Sequence, residues 1–221
     1  MVRFNLIYVT GIFALIGFLL GYHPGEYPLV NMLAIVMLAI PSYYSFIKDN
    51  SWQPLAVLAA YGFFFEAQSI FTGVPYGQFG YGTLLGPTLL GVPLTLLFAY
   101  PPLVIGVMHR FKSWIVPFML VLVDLCFDPM AVSLGYWAWN TPGPYYGVPI
   151  VNFIGWLVSG MGAYLIMRKY KFSVQCSYTL FFSMVFWIVY GITVGLYVPS
   201  LLGILFLSML GKDYYKDLYG F

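Results

Sequence analysis

Charge is what this chain has least of. Only 7% of its 221 residues are Asp, Glu, Lys or Arg, against about a quarter in an ordinary soluble domain. So little charge cannot cover a soluble surface, and a soluble all-helical domain with a large core is set aside. Its basic residues never gather beyond Arg168-Lys169-Tyr170-Lys171, which has the look of a cytoplasmic loop and is not a nucleic-acid footprint. Cysteine occurs twice, at Cys126 and Cys176, far apart and without a Cys-x-x-Cys pair. Neither a disulfide nor redox work is inferred from them. Histidine also occurs twice, at His23 and His109. That rules out a His/Cys cluster for zinc or haem and makes a Ser-His-Asp set implausible. A glycine-rich nucleotide loop between strand and helix is missing. So is an Asp-Asp-x-x-Asp run, which argues against a diphosphate-binding prenyltransferase.

What fills the chain is apolar: 62% of residues are hydrophobic. Hydrophobic tracts near the length of a bilayer crossing recur throughout. We expect an all-α integral membrane protein, a single polytopic domain over residues 1–221, with about eight spans near 4–21, 28–47, 53–71, 88–108, 113–134, 148–167, 174–191 and 195–210. The last two share one tract, split near Gly191-Ile192-Thr193-Val194-Gly195. The start, Met1-Val2-Arg3-Phe4 followed by an apolar run, lacks a small-x-small cleavage site and reads as an uncleaved first span. With eight spans all nine basic residues fall on one side, which places both termini in the cytoplasm. The cell membrane is the expected location.

This topology puts two long uncharged loops outside: residues 72–87, and residues 135–147, GYWAWNTPGPYYG. Both are aromatic and rich in turn residues. Part of that aromaticity is an ordinary interfacial belt, but a belt does not explain the glycines and prolines. Loops this apolar are expected to fold back into the outer edge of the membrane and to line a cavity, since irregular backbone at that depth must be covered by protein or water. A repeat runs through them. Glu66 lies seven residues before Gly73 and Asp128 seven before Gly135; each loop reaches a Gly-Pro pair, at 86–87 and 143–144, and ends in Gly-Val-Pro, at 91–93 and 147–149. Two copies of one helical hairpin, about 53–108 and 113–167, are expected, with partly re-entrant outer loops.

Three of the seven carboxylates, Glu66, Asp124 and Asp128, lie inside apolar tracts with no Lys, Arg or His in the same spans to pair with them. An ionisable group within the membrane costs at least about 2.5 kcal/mol on insertion scales and is a functional candidate by default. Asp124 and Asp128, four apart, share a helix face. Pro129 should free the carbonyl of Leu125 and kink the helix, leaving a place for water beside both acids. Glu66 sits at a similar depth, with Gln68 two residues on. A neutral acid beside an ionised one is the arrangement of general acid–base work. With carboxylates, amides and aromatics alone, the chemistry on offer is proton transfer to an apolar substrate. Protonating an alkene makes a carbocation, which aromatic faces stabilise. Of Tyr76, Tyr81, Trp137, Trp139, Tyr145 and Tyr146, about two are expected to touch substrate, the rest serving as anchors or packing. Asn152 is equally suited to helix packing and to holding the water.

The stretches GVPYGQFGYGTLLGPTLLGVPL, VDLCFDPMAVSLGYWAW and GPYYGVPIVNFIGW, with Glu66 upstream, resemble the membrane carotenoid hydratases, which act on the 1',2' double bond of an acyclic carotenoid end. The resemblance covers about residues 61–156. That family includes enzymes hydrating monocyclic γ-carotene and archaeal enzymes that convert bisanhydrobacterioruberin to bacterioruberin. The resemblance implies a water-adding membrane lyase acting on a carotenoid without a redox cofactor; we expect no cofactor or metal, water and membrane lipid beside the carotenoid, and association with other carotenoid-pathway enzymes. Asp124 or Asp128 is then the acid and Glu66 the group handling water, or the reverse. A carotenoid cyclase using the same protonation is the rival enzyme. A proton-coupled carrier of a lipophilic compound is the rival outside catalysis, opposed by the lack of polar residues leading inward from the acids. A structural scaffold would not need three unpaired acids.

Overall fold

A computed structural model of the chain describes residues 2–22, 29, 31–33, 35–36, 52–171 and 175–219. Most of the expected span 28–47 lies outside the described residues, as do His23, Glu26, Lys48 and Asp49. Seven α-helices are defined among the described residues: α1 (Val2–Tyr22), α2 (Trp52–Thr72), α3 (Leu96–Arg110), α4 (Val116–Leu134), α5 (Ile150–Met167), α6 (Gln175–Thr193) and α7 (Tyr197–Tyr219). Among the described residues three helical stretches, Trp52–Thr72, Ser113–Ser133 and Ile150–Met167, are long and apolar enough to cross a membrane, and shorter apolar helices accompany them. A polar backbone must satisfy itself within lipid, and helices do so without help from neighbours.

Helix α6 is the centre of the packing. It lies against α1, α3, α4 and α7, while α4 packs along α5 and α2 along α3. Its core residues Leu180, Met184 and Tyr190 are sealed among Ile105, Leu120, Met130 and Phe206. Small residues permit the closest approaches. A Cβ on Gly160 of α5 would stand 3.0 Å from Leu120 of α4, and one on Gly155 would meet the Pro75 carbonyl oxygen at 2.6 Å. Helices α6 and α7 part where the sequence suggests, through Gly195 at φ +83°.

Three features differ from the sequence reading. The fourth span was expected from residue 88, but α3 begins at Leu96. Residues 88–93 instead form a hairpin, β2 (Thr88–Leu89) with β3 (Val92–Pro93). Its turn holds Leu90 at φ +51° and Gly91 at φ +79°, the two positive angles a two-residue hairpin turn demands. Apolar composition alone could not tell this hairpin from a helical turn. The last helix runs on to Tyr219, well past residue 210, because an Asp followed three residues later by a Lys, as in Asp213 and Lys216, suits a helix leaving the apolar zone as well as a loop does.

The third difference concerns the outer loops, expected to be irregular. They pair with each other. Strand β1 (Phe79–Tyr81) runs antiparallel to β4 (Trp137–Trp139), with Phe79 opposite Trp139, Gly80 opposite Ala138 and Tyr81 opposite Trp137. Backbone bonds from Gly82 to Tyr136 and from Asn140 to Gln78 extend the ribbon at 2.8 and 3.0 Å. Backbone groups that would be unsatisfied in an apolar setting are thereby paired. The two loops also share conformations. Gly73 and Gly135, just beyond α2 and α4, stand at φ +77° and +76°. Tyr146 and Gly147 stand at φ +53° and +88°, as Leu90 and Gly91 do at +51° and +79°.

Candidate active site

Beneath the ribbon lies a cavity of about 130 Å³. That is near the size of a site that takes a benzene-sized molecule, so it suits the end of a long apolar substrate rather than its length. Helices α2 to α6 supply its walls, and residues of the two outer loops supply its roof. Glu66, Asp124, Asp128 and Asn152 line it together with Tyr76, Tyr81, Trp137 and Trp139.

The sequence places Asp124 and Asp128 on one face of α4, and the structure adds what grips them. Asn152, in the first turn of α5, donates its amide to Asp124 Oδ2 at 2.8 Å and to Asp128 Oδ2 at 2.6 Å. All three side chains are buried. One NH₂ group carries two protons, and here each is spent on a carboxyl. Asp128 is further approached by the Trp137 side chain as a hydrogen-bond partner. On the other wall, Tyr81 donates its hydroxyl to Glu66 Oε2 at 2.7 Å. Burial, and then the adjacent Glu66, hold the Tyr81 hydroxyl well above its ordinary range, so it stays a donor. Tyr81 and Trp137 are cross-strand partners, their rings 5.7 Å apart edge to face. One residue pair of the roof therefore reaches both sides of the acid cluster.

Other expected residues also hold the loops in place. The Tyr76 backbone N–H donates to Ser69 Oγ at 3.1 Å, its hydroxyl to Ser159 Oγ at 2.8 Å, and its carbonyl accepts the Trp139 indole N–H at 2.8 Å. These bonds tie the first loop to α2, α5 and the second loop, while the rings face the cavity. Tyr145 does not line the cavity. Its hydroxyl donates to the Leu125 carbonyl at 3.0 Å. That is the carbonyl Pro129 frees, so a tyrosine occupies the position where the sequence suggested water. Burial pushes the Tyr145 hydroxyl up to about 12, which keeps it protonated for this bond. Tyr146 is 41% exposed and packs edge-on against Tyr145. Neither Tyr146 nor Gln68 lines the cavity. Pattern alone could not separate these from Tyr81, because both loops are aromatic throughout.

The sequence reading missed Tyr100 and Trp156, whose rings stand 5.8 Å apart in the cavity wall. Both sit in apolar helices and look like packing. It also held that no polar residue leads inward from the acids. Thr179 and Ser183 of α6, both buried, line the same cavity. They are one turn apart on a helix whose other residues hid them. Among the described residues no three His, Cys, Asp or Glu side chains converge in the manner of a metal site.

Comparison with known proteins adds a family. The profile described as carotenoid biosynthesis protein matches residues 26–210. Over 126 residues the chain is 40% identical to bisanhydrobacterioruberin hydratase of Haloarcula japonica, a match covering 51% of this chain and 43% of that protein. The chain thus aligns with less than half the length of that relative. No solved structure matches it.

Proposed function

The chain belongs to the carotenoid biosynthesis protein family, and from that premise we propose that it hydrates the terminal 1',2' double bond of an acyclic carotenoid end in the cell membrane. The observation that carries the proposal is the meeting, in one aromatic cavity, of an amide-linked aspartate pair and a tyrosine-held glutamate. Eight spans with both termini cytoplasmic remain our reading of the topology. The matched glycine angles and the ribbon pairing support reading the two hairpins as copies of one unit, each contributing an acid seven residues before its loop glycine.

The prenyl end reaches the cavity from the lipid side. Phe98, which lines the cavity from α3 and is 39% exposed, marks that side. The proton of the Asp124–Asp128 pair passes from Asp128 to the less substituted alkene carbon. The positive charge forms at the carbon bearing two methyl groups, a tertiary cation. Aromatic faces of the cavity stabilise it, and the small volume keeps bulk water out. One water molecule attacks the cation, Glu66 accepts the proton that water loses, and a tertiary alcohol results. The proton count closes when the glutamate returns its proton to the aspartate pair. The name of the Haloarcula japonica relative supports a hydratase over a cyclase.

The test is expression in a host that accumulates an acyclic carotenoid, wild type beside Asp128→Asn, with pigments read by chromatography and mass. Wild type is expected to yield a more polar pigment heavier by one water per reacted end, and the variant none while still folding. Full turnover by the variant would remove Asp128 from the mechanism. A new pigment of unchanged mass would establish a cyclase.

A further inference from the structure

Buried polar side chains are almost always paired, so the exceptions are informative. Among the described residues two buried side-chain atoms lack a protein partner: the Tyr100 hydroxyl and Asp124 Oδ1. They come from different helices, α3 and α4, yet both residues line the same cavity. An unmet hydroxyl and an unmet carboxyl oxygen on two residues that line one cavity are a donor and an acceptor available to a small polar ligand. Glu66 lines the same cavity as Tyr100 and Asp124.

We propose that Tyr100 and Asp124 form the binding site for the water molecule that is added. As a reaction step this rests on the hydratase reading; as a water site it does not. The Tyr100 hydroxyl donates to the water oxygen. Asp124 Oδ1 accepts one water hydrogen, and Glu66 faces the other. One oxygen lone pair is left to form the new C–O bond. As that bond forms, the O–H bond toward Glu66 breaks and its proton moves to the carboxylate. Asp124 thereby has two tasks, one for each oxygen: Oδ2 is held by Asn152 beside the acid, and Oδ1 holds the nucleophile.

Tyr100→Phe tests this, because it keeps the ring against Trp156 and removes only the hydroxyl. The assay runs in deuterated water with an acyclic carotenoid, measuring alcohol formed and deuterium in the recovered alkene. Without a held water the cation still forms but loses a proton more often than it is captured. Alcohol formation is expected to fall and the ratio of deuterium exchange to hydration to rise roughly tenfold, the effect of one lost hydrogen bond. A variant that slows exchange and hydration equally, or changes neither, overturns the proposal. An experimental structure of the wild type gives a second readout independent of turnover. Ordered water oxygen within about 3.2 Å of both Tyr100 Oη and Asp124 Oδ1 is expected. A protein partner on either atom, or no water shared between them, overturns the site whether or not the chain proves to be a hydratase. Should wild type form no alcohol, the hydratase reading fails while this second readout still decides the water site.

Discussion

Replacing Asn152 by Leu tests the amide link at the centre of the site. The substitution keeps the branched shape and the number of heavy atoms, so it opens no cavity, but it removes both donors from Asp124 and Asp128. The bonds measure 2.8 and 2.6 Å, and hydrogen bonds to charged groups are each worth about 1.5–3 kcal/mol. Part of that is recovered as the carboxyls turn to other partners such as Trp137, and we take a net loss of about 3 kcal/mol for the pair. At about 1.4 kcal/mol per factor of ten, turnover should fall roughly a hundredfold. The assay is alcohol formed per folded enzyme, with folded protein counted by size-exclusion of the detergent-solubilised sample. A variant that keeps turnover within about threefold of wild type would show that Asn152 serves helix packing alone.

Tyr81→Phe removes the 2.7 Å bond to Glu66 and should slow turnover about tenfold with little change in the melting temperature, as one lost bond to a carboxylate implies; combined with Glu66→Gln it should add almost nothing. Gly82→Ala and Gly135→Ala separate space from conformation. A Cβ on Gly82 would stand 2.3 Å from the Gly135 carbonyl oxygen, backbone against backbone, whereas one on Gly135 meets nothing within 4 Å and suffers only its φ of +76°. Thermal melts should show Gly82→Ala as the clearly worse variant, since Gly135→Ala is expected to cost only about 1 kcal/mol. Tyr145→Phe leaves the Leu125 carbonyl unpaired beside Pro129 and should cost about 1–3 kcal/mol of stability, read as a lower melting temperature.

The acids were legible because charge in an apolar tract stands out. Glu66, Asp124 and Asp128 announce themselves, and a spacing of four puts the aspartates on one face. Asn152 and Tyr81 were legible as candidates, but their pairing with the acids was not. Asn152 lies 28 residues from Asp124, and only the close packing of α5 on α4 brings them together. Pairing of the two loops across a gap of 58 residues, Gly80 against Ala138, has no local signature in segments of three residues. The turns at Leu90 and Tyr146 were hidden because Leu and Tyr rarely take positive φ, so only the following glycine hinted at them. Tyr100 was lost among the apolar residues of α3, because a lone tyrosine in a helix reads as packing until its hydroxyl is found without a partner.

The most direct measurement of the central claim is the origin of the product oxygen. Membranes containing the protein are incubated with an acyclic carotenoid in water labelled with heavy oxygen, without air, and the pigments are weighed by mass spectrometry. The account predicts a tertiary alcohol carrying one labelled oxygen for each reacted end. An alcohol whose oxygen is unlabelled, a product of unchanged mass, or no conversion of any acyclic carotenoid would contradict it.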